Sequence, residues 1–463
     1  MEKIAVRNPF DQSLIEEWPL ESESSVLEKL ERAFKLFHDP AKQLPKYVRI
    51  QILERVAEKI HADAERFAGD AAKEGGKPIT DSRIEIARAI EGIKIAIRAL
   101  AHLKGEEIVM GITPTSTHRM AFTIRQSRGI VLAVSAFNHP FNLIIHQVIP
   151  AIAVGCPVLV KPALTTPRSC QSIVNLLYSA GLPKGWCQMI FCANEVTGKL
   201  VGDSRISFLT FIGSEKVGWR LRSQLAPGAT CALEHGGLAP VIFDESADIE
   251  SHLPLLVKGG YYHAGQVCVS VQRIYVAQSI FSRFAERFTE QVQQLVTGNP
   301  LDDATDVGPL ILPQEVDRVH LWVQDAVQSR AEKRIGGEPL SDTCYQPTVL
   351  LNPDDQATVS QQEIFGPVVC LYAYDALDEA IRRANAVDVS FQSAIFTQDI
   401  DAAFSAAKRL NALAVMINDH TAFRVDWMPF GGTKKSGLGV GGIGYTMKEM
   451  TLEKLLVFRS PGL

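Results

Sequence analysis

A carboxylate and a thiol, each close to glycine, are the side chains of this sequence that look best suited to chemistry. Glu234 lies in Leu233-Glu234-His235-Gly236-Gly237, and Cys268 lies in Gly265-Gln266-Val267-Cys268. Glycine lets the backbone come close to a ligand, and a cysteine needs an accessible position to react as a thiolate. The pattern suggests a nucleophile and a base on tight turns. Because a single cysteine is more often a small buried hydrophobic residue, the rest of the sequence must support this assignment.

The composition is that of an ordinary globular protein. The chain has 463 residues, 46% of them hydrophobic and 21% charged, which is enough for two or three domains. Its net charge of −5 gives no basic footprint for nucleic acid. The first seven residues carry charges without an apolar stretch behind them, and the apolar region 129–160 is broken by polar residues and prolines. We therefore expect neither a signal peptide nor a membrane span.

The cysteines point to a reducing compartment. The eight of them show no Cys-x-x-Cys pair and no regular spacing, so neither a metal site nor a disulfide framework is indicated. We expect a cytoplasmic protein with no metal, nucleic-acid or membrane partner.

The elements that must position Glu234 and Cys268 follow from hydrophobic periodicity. Residues 45–104 are predicted to be helical, and residues 107–126 to form a β-hairpin. Strands and helices then alternate: strands at 130–136, 158–160, 188–191, 208–212 and 230–233, and helices at 143–154 (interrupted by Pro150), 169–180 and 216–225. The alternation resumes with strands at 273–277, 368–374 and 414–418 and helices at 281–296 and 377–385.

This alternation predicts parallel sheets covered by helices on both faces, in two α/β units. Ligands of such sheets bind beyond the carboxyl ends of the strands. Asn138, Lys161, Gly213 and Glu234 all fall at such ends.

One glycine motif is a poor guide to the ligand. Gly437-x-Gly439-x-x-Gly442 matches a dinucleotide fingerprint in spacing, but about twenty residues follow it, too few for the strand-helix-strand unit that the fingerprint needs. We interpret it as a flexible C-terminal loop.

Several segments, in this order and spacing, resemble the aldehyde dehydrogenase superfamily from about Ser127 to Glu453. Besides those around Glu234 and Cys268, they are Ala136-Phe137-Asn138-His139-Pro140, Val160-Lys161-Pro162-Ala163, Phe211-Ile212-Gly213-Ser214, Gly308-Pro309-Leu310, Glu363-Ile364-Phe365-Gly366-Pro367 and Pro429-Phe430-Gly431-Gly432 with Lys434, Ser436 and Gly437. Each is weak alone.

The resemblance implies an α/β fold with three parts. These are a Rossmann-type cofactor-binding domain (1–106 and 125–234), a second α/β catalytic domain (235–435) and a small β oligomerisation element (107–124 and 445–463). It also implies a homodimer or homotetramer, in which the exposed strand edges would be covered.

The resemblance assigns catalytic roles to three residues. Cys268 would add to the aldehyde as a thiolate, and the side-chain amide of Asn138 with the backbone N–H of Cys268 would stabilise the oxyanion. After hydride transfer, Glu234 would activate water to hydrolyse the thioester. Taken singly, Asn138 could be a turn residue before Pro140, and Glu234 a capping or salt-bridged carboxylate.

The implied cofactor is NAD or NADP. The helix after Gly213 and Ser214 would hold the pyrophosphate at its N-terminus, and Lys161 would reach the adenosine ribose. At the other end, the resemblance places Phe137, Glu363 and Phe365, with Glu363 on the nicotinamide ribose.

One position departs from the NAD-preferring pattern. Many such members of the superfamily have an acid three residues after the lysine, and here that residue is Leu164. Without a carboxylate to repel a 2′-phosphate, NADP is permitted and the preference is open.

The substrate is a small-molecule aldehyde, and four residues suggest its character. By resemblance Asn142, His146, Arg424 and Phe430 line the pocket, which favours a small aldehyde with a polar or anionic tail. The alternative is that His146 is a hydrogen-bonded core residue and Arg424 pairs with Asp426. The segment 423–430 also resembles the lactaldehyde-dehydrogenase-like branch.

Two rival functions remain at this point. An acylating enzyme would pass the thioester to coenzyme A, but such enzymes generally lack the glutamate found here as Glu234. A non-catalytic, crystallin-like binding or structural protein would have been favoured by loss of Cys268, Glu234 or Asn138, and all three are present.

Overall fold

The computed structural model describes residues 2–463, which form fifteen α-helices and twenty strands. The helices are α1 (Glu23–His38), α2 (Lys46–Ala62), α3 (Ala64–Gly75), α4 (Ile79–Ala99), α5 (Asn142–Val154), α6 (Pro167–Ser179), α7 (Asn194–Val201), α8 (Glu215–Ser223), α9 (Ile249–Tyr261), α10 (Phe281–Val292), α11 (Pro313–Gln328), α12 (Thr358–Gln361), α13 (Leu377–Asn385), α14 (Ile400–Arg409) and α15 (Ile443–Glu449). The strands are β1 (Lys3–Arg7), β2 (Leu14–Pro19), β3 (Glu107–Ile108), β4 (Arg119–Ser127), β5 (Ile130–Val134), β6 (Val158–Lys161), β7 (Cys187–Met189), β8 (Ile206–Ile212), β9 (Thr230–Glu234), β10 (Pro240–Phe243), β11 (Arg273–Ala277), β12 (Glu332–Ile335), β13 (Thr348–Leu351), β14 (Val368–Tyr374), β15 (Val389–Ser390), β16 (Gln392–Phe396), β17 (Ala414–Ile417), β18 (Thr433–Lys434), β19 (Gly437–Leu438) and β20 (Thr451–Arg459).

A six-stranded sheet in the order β19-β9-β8-β5-β6-β7 carries Glu234 at one end of β9. Its strands are parallel except β19, which pairs antiparallel with β9. All five residues of β5 are buried and apolar, as expected for a parallel strand covered on both faces.

A seven-stranded sheet in the order β12-β13-β14-β11-β10-β16-β17 carries the segments around Cys268. It is parallel except for β12. Its core is dense in aromatic rings, with Phe243 4.7 Å from Phe284 and 5.6 Å from Phe396 between ring centroids. The predicted α/β fold with parallel sheets is confirmed.

A three-stranded antiparallel sheet in the order β20-β4-β3 stands beside these two. The nine residues of β4 pair with the nine of β20, from Ser127 with Thr451 to Arg119 with Arg459. The hairpin predicted for 107–126 is thus present. Met120, Leu455 and Val457 on this sheet are about half exposed.

Most predicted elements are found within a few residues, and two differ. The helix predicted to break at Pro150 is continuous, because α5 is buried along its whole length and packing outweighs the one backbone hydrogen bond that proline removes. Helix α10 ends at Val292 rather than Val296, where the chain becomes exposed.

The interpretation of residues 437–442 as a flexible loop is wrong. Gly437 and Leu438 form β19, which pairs with Glu234 and Leu233, and Gly441 bridges Phe430. A side chain at residue 437 would place its Cβ 2.3 Å from the carbonyl oxygen of Leu233, so the glycine permits this close strand pairing. Of the helices between residues 2 and 463, none is long and apolar enough to cross a bilayer.

Candidate active site

Cys268 follows a run of three left-handed residues. His263, Ala264 and Gly265 have φ values of 49°, 54° and 70° after the end of α9. A Cβ on residue 265 would lie 2.2 Å from the carbonyl oxygen of Gly366, so only glycine fits between the two segments. The non-glycine residues of this turn are strained, which is typical of a functional site that its surroundings hold in place.

Gln266 fastens this turn to two distant segments. Its side-chain Nε2 donates to the carbonyl of Pro309 at 3.1 Å, and its Oε1 accepts from the Ile311 N–H at 3.0 Å. Its own carbonyl accepts from Nδ2 of Asn138 at 2.8 Å. The structure therefore brings Asn138 next to the Cys268 turn, and the second Nδ2 hydrogen of Asn138 stays available because an amide carries two donors.

The loop that holds Asn138 is itself anchored by a buried ion pair. Lys77 is fully buried beside the carboxylate of Glu85 and lies 2.7 Å from Nδ1 of His139. Glu85 Oε1 accepts the N–H groups of Phe141 and Asn142 at 2.9 and 2.8 Å, at the start of α5. Both charges of the pair are thus compensated, as buried charges require.

Cys268 is close enough to Glu363, Arg424 and Glu234 for their charges to act on its thiol. Burial raises the pKa of the Cys268 thiol to about 12, the Glu363 carboxylate adds to this rise, and the Arg424 guanidinium opposes it. Burial also raises the pKa of Glu234, again opposed by Arg424, while Glu449 contributes to the rise.

The predicted substrate-pocket residues come together around Asp426. Nε2 of His146 lies 2.9 Å from Oδ1 of Asp426. Burial lowers the pKa of His146 to about 4, so the ring is neutral at pH 7 and its Nε2–H donates to the carboxylate. Its other nitrogen, Nδ1, then accepts from Nη2 of Arg424 at 3.4 Å. His146 is thus the hydrogen-bonded buried residue that the alternative interpretation described.

Arg424 is held by a cation–π contact and by a long ion pair with Asp426, the pairing that the alternative interpretation described. Its guanidinium carbon lies 3.5 Å from the centre of the Phe430 ring, a cation–π contact. Its Nε is 3.9 Å from Oδ1 of Asp426, too far for a hydrogen bond. Within residues 2–463 this buried Nε has no hydrogen-bond partner. On helix α5, one turn before His146, the Oδ1 of Asn142 is likewise buried with no partner in the described chain.

Arg88 is the pocket residue that sequence reasoning missed. It lies on α4, with Nη2 2.6 Å from Oδ1 of Asp426 and Nε 3.3 Å from Oδ2. The hydrophobic repeat of α4 gave no sign of this contact, because Arg88 stands on the half-exposed side of the helix and its partner is far along the chain.

The comparisons with known proteins agree with this geometry. The model of the aldehyde dehydrogenase family matches residues 1–456. A 3-sulfolactaldehyde dehydrogenase of Priestia aryabhattai is 38% identical over 412 residues, which cover 89% of this chain and 86% of that protein. A lactaldehyde dehydrogenase of Methanocaldococcus jannaschii is 35% identical over 461 residues, covering 98% of this chain and 97% of that protein.

This chain belongs to the aldehyde dehydrogenase family. The solved structure of the glyceraldehyde-3-phosphate dehydrogenase GapN of Methanocaldococcus jannaschii, complexed with NADP, superposes with a TM-score of 0.95 at 34% identity, covering 99% of this chain and 100% of that one. The protein is an NAD(P)-dependent aldehyde dehydrogenase. The rival interpretation as a non-catalytic binding or structural protein is therefore set aside.

The nicotinamide end of this aldehyde dehydrogenase fits the predicted cofactor. Glu363 has an Oε1 that is buried without a hydrogen-bond partner in the part of the chain described, as a site for a ribose hydroxyl requires. Its carboxylate lies against Gly236, where a Cβ would be 1.8 Å from Oε1. Phe137 and Phe365 meet edge to face with centroids 5.9 Å apart beside it.

The residues predicted for the adenosine end lie at the ends of β6 and β8. Lys161, at the end of β6, is buried and donates to Oδ1 of Asn194 at 3.3 Å. Ser214 is the exposed N-cap of α8. The N–H of Gly213 donates to the Glu234 carbonyl at 3.1 Å, so this residue joins the ends of β8 and β9 directly before α8.

Proposed function

We propose that this aldehyde dehydrogenase oxidises a short aldehyde with an anionic tail to the free carboxylic acid. The observation that carries the proposal is the buried Arg424 guanidinium, which stacks on Phe430 while its Nε has no partner in the described residues. Arginine is always charged and offers a planar fork of donors that suits a carboxylate, sulfonate or phosphate. The nearby carboxylates of Asp426 and Glu234 leave the buried Nε–H without a hydrogen bond, which is costly, so a substrate anion is the partner that would complete the site.

The charges around the pocket support this assignment. Arg88 and Arg424 contribute two positive charges and Asp426 one negative charge, while His146 is neutral. Asp426 is bound at two points by Arg88 and also accepts from His146, which holds the pKa of this carboxyl well below its usual range. Glu234 is a second negative neighbour of Arg424. Because burial raises the pKa of Glu234, this carboxyl offsets the Arg424 charge less than an ordinary carboxylate would.

The names of similar proteins point the same way. Sulfolactaldehyde carries a sulfonate and glyceraldehyde 3-phosphate a phosphate, and both occur in the names of proteins that match most of this chain. Lactaldehyde, in the name of a third, is uncharged. Anionic and neutral short aldehydes are therefore the two classes that an experiment must separate.

The chemical steps follow from the residues in the pocket. The Cys268 thiol first loses its proton to solvent. The sulfur of the thiolate then adds to the carbonyl carbon, and the oxygen receives the electron pair while Asn138 Nδ2 and the Cys268 N–H donate to it. When bound, NAD(P) supplies the acceptor for the hydride that leaves this carbon. Glu234 then takes a proton from water, the water oxygen bonds to the thioester carbon, the C–S bond breaks, and the acid is released.

The test compares two aldehydes of similar length, one anionic and one neutral, by NAD(P)H absorbance with each cofactor. Arg424→Met keeps the apolar stem on Phe430 and removes the charge. We expect a selective loss of kcat/KM for the anion of about tenfold to a hundredfold, since a charged hydrogen bond contributes about 1.5–3 kcal/mol.

The matched control is Arg283→Met, which removes an exposed guanidinium far from this pocket in sequence and should leave both substrates unaffected. Equal losses of kcat/KM for the anionic and the neutral aldehyde in Arg424→Met would assign Arg424 a structural role. Neutral short aldehydes would then be the proposed substrate class.

We also infer a homo-oligomer in a reducing compartment. The edge position of β20 and the half-exposed apolar side chains of the three-stranded sheet support a partner subunit at this face. The cysteines of residues 2–463 are all free thiols, which suits the cytoplasm. Sedimentation velocity of the purified protein tests the first inference, and monomers at micromolar concentration would contradict it.

A further inference from the structure

Gly441, from the glycine-rich segment that forms no phosphate loop, lies directly against the Glu234 carboxylate. A Cβ on residue 441 would be 2.1 Å from Oε1 and 3.1 Å from the carboxyl carbon of Glu234. Real Cβ atoms do not approach other atoms so closely, so the carboxylate occupies the space that any other residue would fill with its side chain. We call this space the Gly441 recess.

The recess is firmly built. Phe430 and Gly441 form an antiparallel bridge, in which each backbone N–H donates to the carbonyl of the other residue. On the other side, Glu234 is fixed by its pairing with Gly437 in the neighbouring strand. The backbone of the recess therefore cannot easily retreat from the carboxylate.

Gly441 is glycine for reasons of space and not of backbone conformation. Its φ lies outside the left-handed range that Gly437, Gly439 and Gly442 enter or approach. Alanine is thus compatible with this φ. Its methyl group would lie 3.0 Å from the Phe430 carbonyl oxygen and would displace the Glu234 carboxylate, which is closer at 2.1 Å.

A second carboxylate lies beside the same segment. Glu449, at the end of α15, accepts the Val440 N–H at 3.2 Å, and a Cβ on Gly439 would be 2.9 Å from its Oε2. Two carboxylates thus flank Val440, that of Glu449 against Gly439 and that of Glu234 against Gly441. Glu449 contributes to the raised pKa of Glu234. Arg424 is the positive charge that acts on Glu234 in the opposite direction.

We propose that Gly441 is a positioning residue for thioester hydrolysis, because its missing side chain creates the recess that holds the Glu234 carboxylate in place to take a proton from water. This rests on the proposed role of Glu234 as base. In that step Glu234 gains the proton, the water oxygen bonds to the acyl carbon, and the bond from that carbon to the Cys268 sulfur breaks.

The test is pre-steady-state kinetics of Gly441→Ala, with whichever aldehyde the unmodified enzyme oxidises fastest. We expect a burst of close to one NAD(P)H per active site followed by steady-state turnover at least tenfold slower than that of the unmodified enzyme. Gly444→Ala, three residues further on, is the matched control, because no atom lies within 4 Å of its new Cβ, and it should behave like the unmodified enzyme.

A double-mutant cycle separates positioning from general damage. If Gly441 acts through Glu234, adding Gly441→Ala to Glu234→Gln causes no further loss of turnover. Unchanged turnover in Gly441→Ala, equal losses in burst and steady state, or multiplied losses in the double variant would each overturn the proposal. If Glu234→Gln alone leaves turnover intact, the role of Glu234 as base is wrong, an outcome distinct from a failure of the recess alone.

Discussion

Arg88 binds Asp426 at two points, through Nη2 at 2.6 Å and Nε at 3.3 Å. Because this carboxylate also accepts from His146, it has little capacity left for Arg424, which stands 3.9 Å away. Arg88 would thus act on the proposed substrate pocket indirectly, by holding Asp426, a counter-ion of Arg424.

The first prediction concerns Arg88→Met. Once Arg88 is lost, Asp426 becomes free to pair with Arg424 and to neutralise it. We expect kcat/KM for an anionic aldehyde to fall about tenfold or more, while a neutral aldehyde of similar length is affected less. The double variant Arg88→Met with Asp426→Asn removes the competing carboxylate and should recover part of the anion preference. No recovery would show that Arg88 acts by another route.

The second prediction concerns the nucleophile. Cys268→Ala should abolish NAD(P)H formation, since no sulfur is present to add to the carbonyl. Cofactor binding should be retained because Glu363 and Lys161 are unchanged. Quenching of the protein fluorescence measures this binding. Cys231→Ala, at another half-buried cysteine, is the control and should stay active. More than trace activity in Cys268→Ala would assign the nucleophile to another residue.

The third prediction concerns the pH dependence of the Cys268 thiol. With a pKa of about 12, the thiolate fraction and hence the alkylation rate should rise about tenfold per pH unit between pH 8 and 10. Burial raises the pKa of Glu363 to about 8, so this carboxyl is ionised at pH 9 to 10. In that range Glu363→Gln removes a negative neighbour and should make the alkylation faster. Iodoacetamide labelling of residue 268, followed by mass spectrometry, measures both effects. A slower reaction in Glu363→Gln would contradict the assigned electrostatics.

The fourth prediction concerns cofactor choice. Leu164→Glu introduces a carboxylate near the proposed adenosine ribose site, where it would repel a 2′-phosphate. Two unit charges about 4 Å apart interact by roughly 1–4 kcal/mol between water-like and surface dielectrics, so the NAD/NADP ratio of kcat/KM should rise about tenfold or more. Leu164→Gln, of the same size without charge, is the control. If both variants give the same ratio, residue 164 does not face the ribose.

The fifth prediction concerns the buried pair that anchors the Asn138 loop. Glu85→Gln keeps an oxygen for the Phe141 and Asn142 N–H groups and leaves the Lys77 charge uncompensated. Breaking a buried pair in this way costs about 3–5 kcal/mol of unfolding free energy. Glu17→Gln, in the exposed pair with Lys3, should cost less than about 1 kcal/mol. Urea unfolding of both variants measures this difference in unfolding free energy. A similar small loss of unfolding free energy in each variant would refute a structural role for the Lys77–Glu85 pair.

The sequence was most informative where chemistry forces a residue type. The strand-helix alternation predicted the parallel sheets, because buried parallel strands need continuous apolar runs. Cys268, Glu234 and Asn138 stood in local motifs, and the structure brings Asn138 to the Cys268 turn through the Gln266 carbonyl. The resemblance to the family supplied their roles, which periodicity alone could not.

The sequence was least informative where a residue's role depends on a distant partner. Arg88 and Asp426 occupy no shared motif, and their pairing exists only once α4 packs beside the 423–430 segment. Gly441 looked like part of a loose loop, because nothing local reveals that a carboxylate of another strand lies 2.1 Å from its vacant Cβ position. Packing likewise decided the continuity of α5 through Pro150, against the local preference of proline.

The pairing of late strands with early ones has a consequence for biosynthesis. Glu234 obtains its β19 neighbour from residues 437–438, and β4 obtains its partner from residues 451–459. During synthesis, therefore, the β9 edge of the six-stranded sheet stays unpaired while more than two hundred further residues are made. We infer that the pocket takes its final form only after residues 437–459 have been made, so that a nascent chain carries both Glu234 and Cys268 before the pairing with β19 holds Glu234 in position.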